Sequence, residues 1–326
     1  MTKTVLVLGG AGYIGSQCCK SFARAGWNVV VYDNLERGWR DLVRWGDLIQ
    51  GDILDEAALS AAMDKAKPDA VAHFAALTFV GESVEQPAMY YRNNSIGVLN
   101  LLEAMRKHGV NNLVFSSTCA TYGLPQYTPL DEKHPQSPIN PYGWSKLFAE
   151  RQMADFSRAH GLRYAALRYF NAAGADSDGE TGERHEPETH LIPLAIRGVK
   201  RSDYEFTIFG DDFDTRDGTC VRDYIHVEDL ADAHMRALDY LMAGGKSDAF
   251  NLGTGVGTTV FEIASAVERV AGRKLPRKIG PRREGDPPAL FAAAQKAADV
   301  LGWVPKRNID DIIRTAWAWH EKDDAR

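Results

Sequence analysis

The chain has 326 residues, with 38 Lys+Arg against 44 Asp+Glu and 44% hydrophobic content. That length suits two domains, or one large domain with an appendage, and the composition excludes wholesale disorder. A formal charge of −6 excludes the basic face that broad nucleic-acid binding needs, so a phosphate-bearing ligand must be held by a few local groups.

No window reaches the roughly 18 consecutive apolar residues that span a bilayer, so no membrane partner is expected. The first apolar run, Val5–Leu8, is shorter than the about 7–15 residues of a secretory core and ends in glycine. It reads as a first strand. The four cysteines (Cys18, Cys19, Cys119, Cys220) form no CxxC pair, and a helix cannot turn the adjacent Cys18 and Cys19 toward one metal. Reduced thiols in a cytoplasmic protein are expected.

Further β-like runs follow at Val29–Tyr32, Ala70–His73, Leu113–Ser116 and Tyr164–Arg168. Helical patterns separate them at Ile14–Arg24, Glu56–Lys65, Pro87–His108 and Tyr142–His160. Alternation of apolar strands with helices predicts a parallel sheet covered on both faces. Beyond about Asn171 the rhythm breaks. Residues 171–190 and 210–220 are polar loops, Pro276–Pro288 reads as loop, and Ala57–Ala62 and Ala292–Ala298 read as helix surface. Lys322–Arg326 reads as a frayed tail. The predicted division is 1–170 for a cofactor-binding domain and 171–326 mainly for a substrate domain, with some segments returning to the first.

The first strand runs into Gly9-Gly10-Ala11-Gly12-Tyr13-Ile14-Gly15 and then a helix. Gly9 permits a tight turn, Gly12 lets backbone approach a pyrophosphate, and Gly15 allows close helix–strand packing. The helix N-terminus offers free amides to the phosphates. Asp33 follows the second strand, where a carboxylate accepts the adenosine ribose hydroxyls and repels a 2′-phosphate. Arg37 and Arg40 stand against that preference, which otherwise favours NAD over NADP. A structural glycine turn with a surface aspartate is the plain alternative; strand, loop, helix and acid together outweigh it.

Asn140-Pro141-Tyr142 reads as a helix start, with Asn140 as N-cap. Tyr142 and Lys146 are four apart and share one face. Ser116-Ser117-Thr118 ends the preceding strand, where ligands collect in open α/β sheets. Oxidising a carbinol needs a base, and lowering a tyrosine from about 10 to 7 requires about 4 kcal/mol. The Lys146 ammonium and a nicotinamide cation would supply that field, with Thr118 holding the substrate hydroxyl. Inside the Pro87–His108 pattern, Asn93, Asn94 and Gly97 are poor helix formers, which marks a functional site or close packing.

These blocks, with Tyr32–Leu35, Gly51–Ile53, His73–Leu77, Val80–Ser83, Ser116–Gly123, Arg168–Asn171, Val221–His226, Asn251–Gly253 and Pro281–Asp286, occur in one order through nearly the whole chain. So read, the sequence resembles the extended short-chain dehydrogenase/reductase superfamily, and within it the family of UDP-glucose 4-epimerases. The resemblance implies a Rossmann-type doubly wound parallel sheet with a smaller mixed α/β substrate domain, and a homodimer built on helices near 87–107 and 142–160. It implies NAD as cofactor, held by Gly9, Gly12, Tyr13, Ile14, Gly15, Asp33, Asn34, Asp52, Ile53, Phe74, Ala75, Ala76, Asn93, Tyr142, Lys146 and Tyr169. Thr118, Tyr142 and Lys146 would be catalytic. A UDP-sugar would be held by Thr118, Asn171, His190, Leu191, Phe209, Arg222, Tyr224, Arg283 and Asp286, with Leu290 as the wall beside the sugar C2 group.

Three positions depart from the family pattern. Thr78 stands where some members carry lysine, Thr118 replaces serine, and His190 replaces asparagine. His185 and His190 are five apart with Pro187 between them, which does not fit a helical ligand pair, so no metal is expected. No Asp-Glu pair follows Thr118, which argues against dehydration. UDP-glucose/UDP-galactose 4-epimerisation leads; 4-epimerisation of UDP-xylose/arabinose or a UDP-uronate, and a non-catalytic NAD sensor, stay open.

Overall fold

Alternation along the buried strands sets the architecture. The computed structural model describes residues 2–283 and 285–323. Six strands, β1 (Thr4–Leu8), β2 (Asn28–Asp33), β3 (Asp47–Gln50), β4 (Ala70–His73), β5 (Asn112–Thr118) and β6 (Arg163–Tyr169), join Asp248–Leu252 in one sheet. Its order is Asp248–Leu252, β6, β5, β4, β1, β2, β3. Every pairing in it is parallel. This is the doubly wound order of dinucleotide-binding sheets, reversing direction between β1 and β4.

Successive side chains feed opposite cores. Val5, Val7, Val29 and Val31 pack with Cys18, Cys19 and Phe22 of the helix Tyr13–Arg24 and with Leu230, Leu238 and Leu241 of the helix Val227–Met242. Leu6, Leu8, Tyr32 and Phe115 pack with Leu59 and Met63 of Glu56–Ala66, Leu101 and Met105 of Gly97–Lys107, and Met153 of Pro141–His160. A third core lies apart from the sheet. There Ile192 and Ile196 of the helix Leu191–Lys200 meet Phe206, Ile208, Val267 of Val260–Ala271, and Ile313 of Ile309–Asp323.

Beyond the break at Asn171, Val227–Met242 packs on the sheet face and Asp248–Leu252 extends its edge, covering backbone groups that β6 would leave unpaired. Several expectations are corrected. Within 276–288, Arg277–Gly280 pairs with Phe206–Phe209, since the prolines flank the run instead of interrupting it. Ala292 is fully buried and not helical; the helix there begins at Gln295. The last helix continues through Lys322 and Asp323, anchored by bonds to Gly179 and Arg184; residues 324–326 lie outside the described residues. Pro87–His108 is broken by one π turn at Arg92–Ile96.

Candidate active site

Of the four glycines after β1, three are demanded by packing, Gly10 among them with Val31 Cγ1 2.9 Å from where a Cβ would lie, and one is not. Gly9 has φ +79°, and a Cβ there would lie 2.5 Å from the Ala75 amide nitrogen. A Cβ on Gly15 would lie 2.1 Å from the Gly9 carbonyl. Gly12 meets nothing closer than 3.4 Å, so its lack of a side chain leaves space for an incoming ligand. Gly12 also caps Tyr13–Arg24 without a side-chain hydrogen bond, leaving the first amides to an anion. Both features fit a dinucleotide pyrophosphate.

The buried Asp33 carboxylate accepts from Ala11 N at 2.9 Å and Leu35 N at 2.8 Å. It therefore braces the glycine turn, and burial raises its affinity for a proton against those two bonds. Asn34 donates to Asp52 at 3.0 Å, and Ile53 is buried beside them. Arg37 is engaged by Glu82 at 2.7 Å and Arg40 by Gln50 at 2.8 Å, so neither stands free for a 2′-phosphate. Phe74 leads the segment after β4 and stacks on His234 at 4.8 Å.

The π turn has a specific use. Asn94 is buried, accepts from Leu77 N and donates to Leu77 O, both at 2.9 Å, and reaches Ser145 at 3.1 Å. Asn93 donates to Asn94 at 2.8 Å. Gly97 answers to packing, because a Cβ there would sit 2.8 Å from Ile53 Cγ2.

Thr118 ends β5, and Tyr142 stands in the first turn of Pro141–His160, capped by Asn140 accepting from Gly143 N at 2.9 Å. Thr118, whose hydroxyl accepts from Ala120 N at 3.1 Å, lies close enough to Tyr142 to favour its phenolate. Burial pushes the Tyr142 phenol up to about 12, opposed by Thr118. One turn on, Lys146 is 2% exposed, donates to Ser116 O at 2.8 Å and lies over the Phe115 ring. Desolvation pushes it down to about 7, against the attraction of Glu150. The expectation that Lys146 lowers Tyr142 is not met in the protein alone: its ammonium is turned to a backbone carbonyl and burial of the phenol prevails. Tyr169 bonds Ser116 on the neighbouring strand.

A second group meets this one. Asn171 and Tyr224 are register partners in a short parallel pair. Arg222 bonds Pro287 O at 2.9 Å and Asp286 at 3.2 Å, and Leu290 is its strand partner. Leu290 and Cys119, the residue after Thr118, both pack against Tyr122, Leu130, Phe170 and Ala292, and Arg222 is close enough to oppose the burial that raises the Cys119 thiol. Arg283 lies 4.0 Å over the Phe209 ring. His190 caps Leu191–Lys200. Despite their spacing, His185 and His190 converge with Glu183 and Glu188, because 183–190 is not helical and a helical spacing rule does not govern it.

Glu150 was not foreseen. It accepts from Arg168 Nε at 2.9 Å and Ser117 at 2.5 Å, and Arg168 reaches Tyr122, which donates to Asn251 at 2.6 Å. Its signal was its spacing, since 142, 146 and 150 fall on one helical face. Asp223 was also missed as a hub: it accepts from Thr254 N at 2.9 Å and Ala292 N at 3.1 Å.

Residues 5–253 match the profile of the NAD-dependent epimerase/dehydratase family. The chain belongs to that family. It is 57% identical over 320 residues to a UDP-glucose 4-epimerase of Rhizobium leguminosarum bv. trifolii, covering 98% of each chain. The crystal structure of UDP-glucose 4-epimerase from Brucella ovis in complex with NAD matches with a TM-score of 0.94 at 53% identity, covering 97% of this chain and 98% of that one. The Bifidobacterium longum UDP-glucose 4-epimerase in complex with NAD+ and UDP matches with a TM-score of 0.93 at 38% identity, covering 99% of each. The Rossmann-type sheet of this epimerase family is thus the one described above.

Proposed function

We propose that this chain interconverts UDP-glucose and UDP-galactose by transient oxidation at C4, with NAD held on the sheet throughout. The observation that carries the reading is the junction at the carboxyl end of β5. Thr118 lies close enough to Tyr142 to favour its phenolate, and the next residue, Cys119, packs on the same cluster as Leu290, whose strand partner Arg222 bonds Asp286.

NAD, when bound, would supply the acceptor and donor of the C4 hydride. The chain's own work is to hold the sugar and move a proton. Thr118 orients the C4 hydroxyl and Tyr142 takes its proton. Bringing a phenol near 12 to working pH takes about 7 kcal/mol of differential stabilisation, more than a free tyrosine needs. Lys146, already desolvated behind the tyrosine, and the cationic cofactor ring supply that field once the cleft is filled. Arg222 and Arg283 counter the diphosphate charge that an acidic protein would otherwise repel. Residues 1–170 carry NAD, and 171–326 mainly carry the UDP-sugar, with Val227–Met242 and Asp248–Leu252 returning to the sheet.

A second copy completes the assembly. Ile96 (49% exposed), Leu99 (39%) and Phe148 (43%) present apolar surface on the two helical segments, and Trp144 and Tyr91 stack on Phe148. No described helix is long and apolar enough to cross a membrane. All four cysteines are free, consistent with a cytoplasmic enzyme.

Mass spectrometry of the nucleotide released on denaturation, with turnover of a UDP-sugar panel, tests the reading. NAD and interconversion of the hexose pair without net cofactor consumption are expected. Stoichiometric consumption of added NAD, or no epimer from any UDP-hexose, overturns it.

A further inference from the structure

Glu183, His185, Glu188 and His190 bring four metal-ligating side chains to one point outside any helix. Glu183 Oε1 lies 3.3 Å from His185 Nδ1 and 3.0 Å from His190 Nδ1. Glu188 places Oε2 3.6 Å from His185 Nδ1 and Oε1 2.8 Å from His190 Nδ1. One donor atom from each residue falls within 4.8 Å of the others. Around a tetrahedral zinc with bonds of about 2.0–2.2 Å, neighbouring ligand atoms are about 3.4 Å apart. The four separations bracket that value.

An independent observation concerns direction. His185 Nδ1 is buried and has no hydrogen-bond partner, although two carboxylates lie within 3.6 Å of it. The oxygens surround it at ligand-to-ligand spacing without lying on the line of a donated proton. The carboxylates themselves are 6% and 4% exposed; Glu188 Oε1 accepts from the Thr189 and His190 amides at 2.7 Å, and a cation shared by both carboxylates would offset the several kcal/mol that burying each charge costs. The shell is aromatic: Tyr13 lies edge-on to His185, Phe79 touches both imidazoles, and Trp319 donates to Glu183 O at 3.0 Å. The other acidic cluster differs. Asp176, Asp178 and Glu180 close on Lys20 Nζ at 2.7–2.8 Å, so a side-chain ammonium already fills it.

We propose that Glu183, His185, Glu188 and His190 form a closed structural zinc site. Two imidazoles with two carboxylates in a four-fold set suit zinc, whereas calcium and magnesium demand more oxygen ligands. The ion ties 183–190 between Tyr13 of the cofactor turn and the helix Leu191–Lys200. With all four positions taken by protein, it holds no reacting atom.

The test is zinc content of the full-length holoenzyme, purified without a polyhistidine tag, by inductively coupled plasma mass spectrometry. Calorimetric titration of chelator-treated protein with zinc and with magnesium accompanies it. About one zinc per chain and binding of zinc but not magnesium are expected. His185→Asn and Glu188→Gln should each weaken zinc by more than about 100-fold, beyond what outer-shell partners carry. If either variant fails to fold, cobalt(II) substitution of the wild-type chain decides, through the intense visible absorption of four-coordinate cobalt. An absence of zinc uptake, a six-coordinate cobalt spectrum, or undiminished zinc binding in the folded variants overturns the site and leaves an ion-pair cluster only.

Discussion

Glu150→Gln separates charge from shape behind the catalytic pair. The carboxylate is 8% exposed, takes two bonds from an Arg168 guanidinium that is 7% exposed, and accepts from Ser117. Glutamine keeps the volume and one acceptor oxygen, but it removes the counter-charge and turns an amide donor toward arginine donors. Breaking a buried pair by removing one partner costs about 3–5 kcal/mol, because the other charge stays buried. With about 2.1 cal/mol/K of unfolding entropy per residue, the 326-residue chain should lose roughly 4–7 °C in Tm. Removing Glu150 also removes the attraction that opposes desolvation of Lys146, so turnover should fall more than UDP-sugar affinity. The assay is a double-mutant cycle with Arg168→Met, read by thermal unfolding of the NAD-loaded protein and by steady-state kinetics. The double variant should recover part of the loss, since it buries no lone charge. A Tm change below about 1 °C in Glu150→Gln, or full additivity in the cycle, refutes the reasoning.

Tyr142→Phe should cut turnover by at least the roughly 10²–10⁴-fold typical of acid–base groups while UDP-sugar binding barely changes; near-normal turnover removes its assignment. Asn93→Ala should lower activity more than Tm, and Asn94→Ala should do the reverse, because Asn94 holds Leu77 and Ser145; a thermal defect alone at Asn93 would mean packing. Leu290, packed against Tyr122, Leu130, Phe170 and Ala292, offers no partner to an N-acetyl amide, which costs about 1–3 kcal/mol, so kcat/KM should favour UDP-glucose and UDP-galactose roughly 5–150-fold over the N-acetyl pair. Leu290→Ser should relax that ratio, and an unchanged ratio assigns Leu290 to packing. His234 is fully buried and held neutral, its pKa pushed down from 6.5 to about 4 by desolvation. The unfolded chain binds its proton first, so about 3 kcal/mol of stability present above pH 6.5 is lost as pH falls toward 4. His234→Phe should flatten that slope in urea titrations, and an unaltered slope contradicts it.

How the chain divides between local and distant causes is visible in particular residues. The runs that became β1, β2, β4, β5 and β6 were legible because parallel strands buried on both faces carry consecutive apolar residues, as in Val29–Tyr32 and Leu113–Phe115. The Asp47–Gln50 strand was not, since it is short, on the edge and half polar. The glycine turn, the Asn140 cap and the Tyr142–Lys146 spacing were legible because each obeys contacts within a few residues.

The sequence by itself thus determined the parallel sheet, the glycine turn, the Tyr142–Lys146 spacing on one helical face and the family. Only the tertiary structure decided that Asp248–Leu252 returns to the sheet, that Arg168 finds Glu150, that Asn94 stitches the π turn to Leu77 and Ser145, and that Glu183, His185, Glu188 and His190 meet. The physical reason is range. Periodicity and turn chemistry record what a residue does to its near neighbours, whereas a buried charge or an unpaired strand edge is satisfied by whichever distant segment the fold delivers to it.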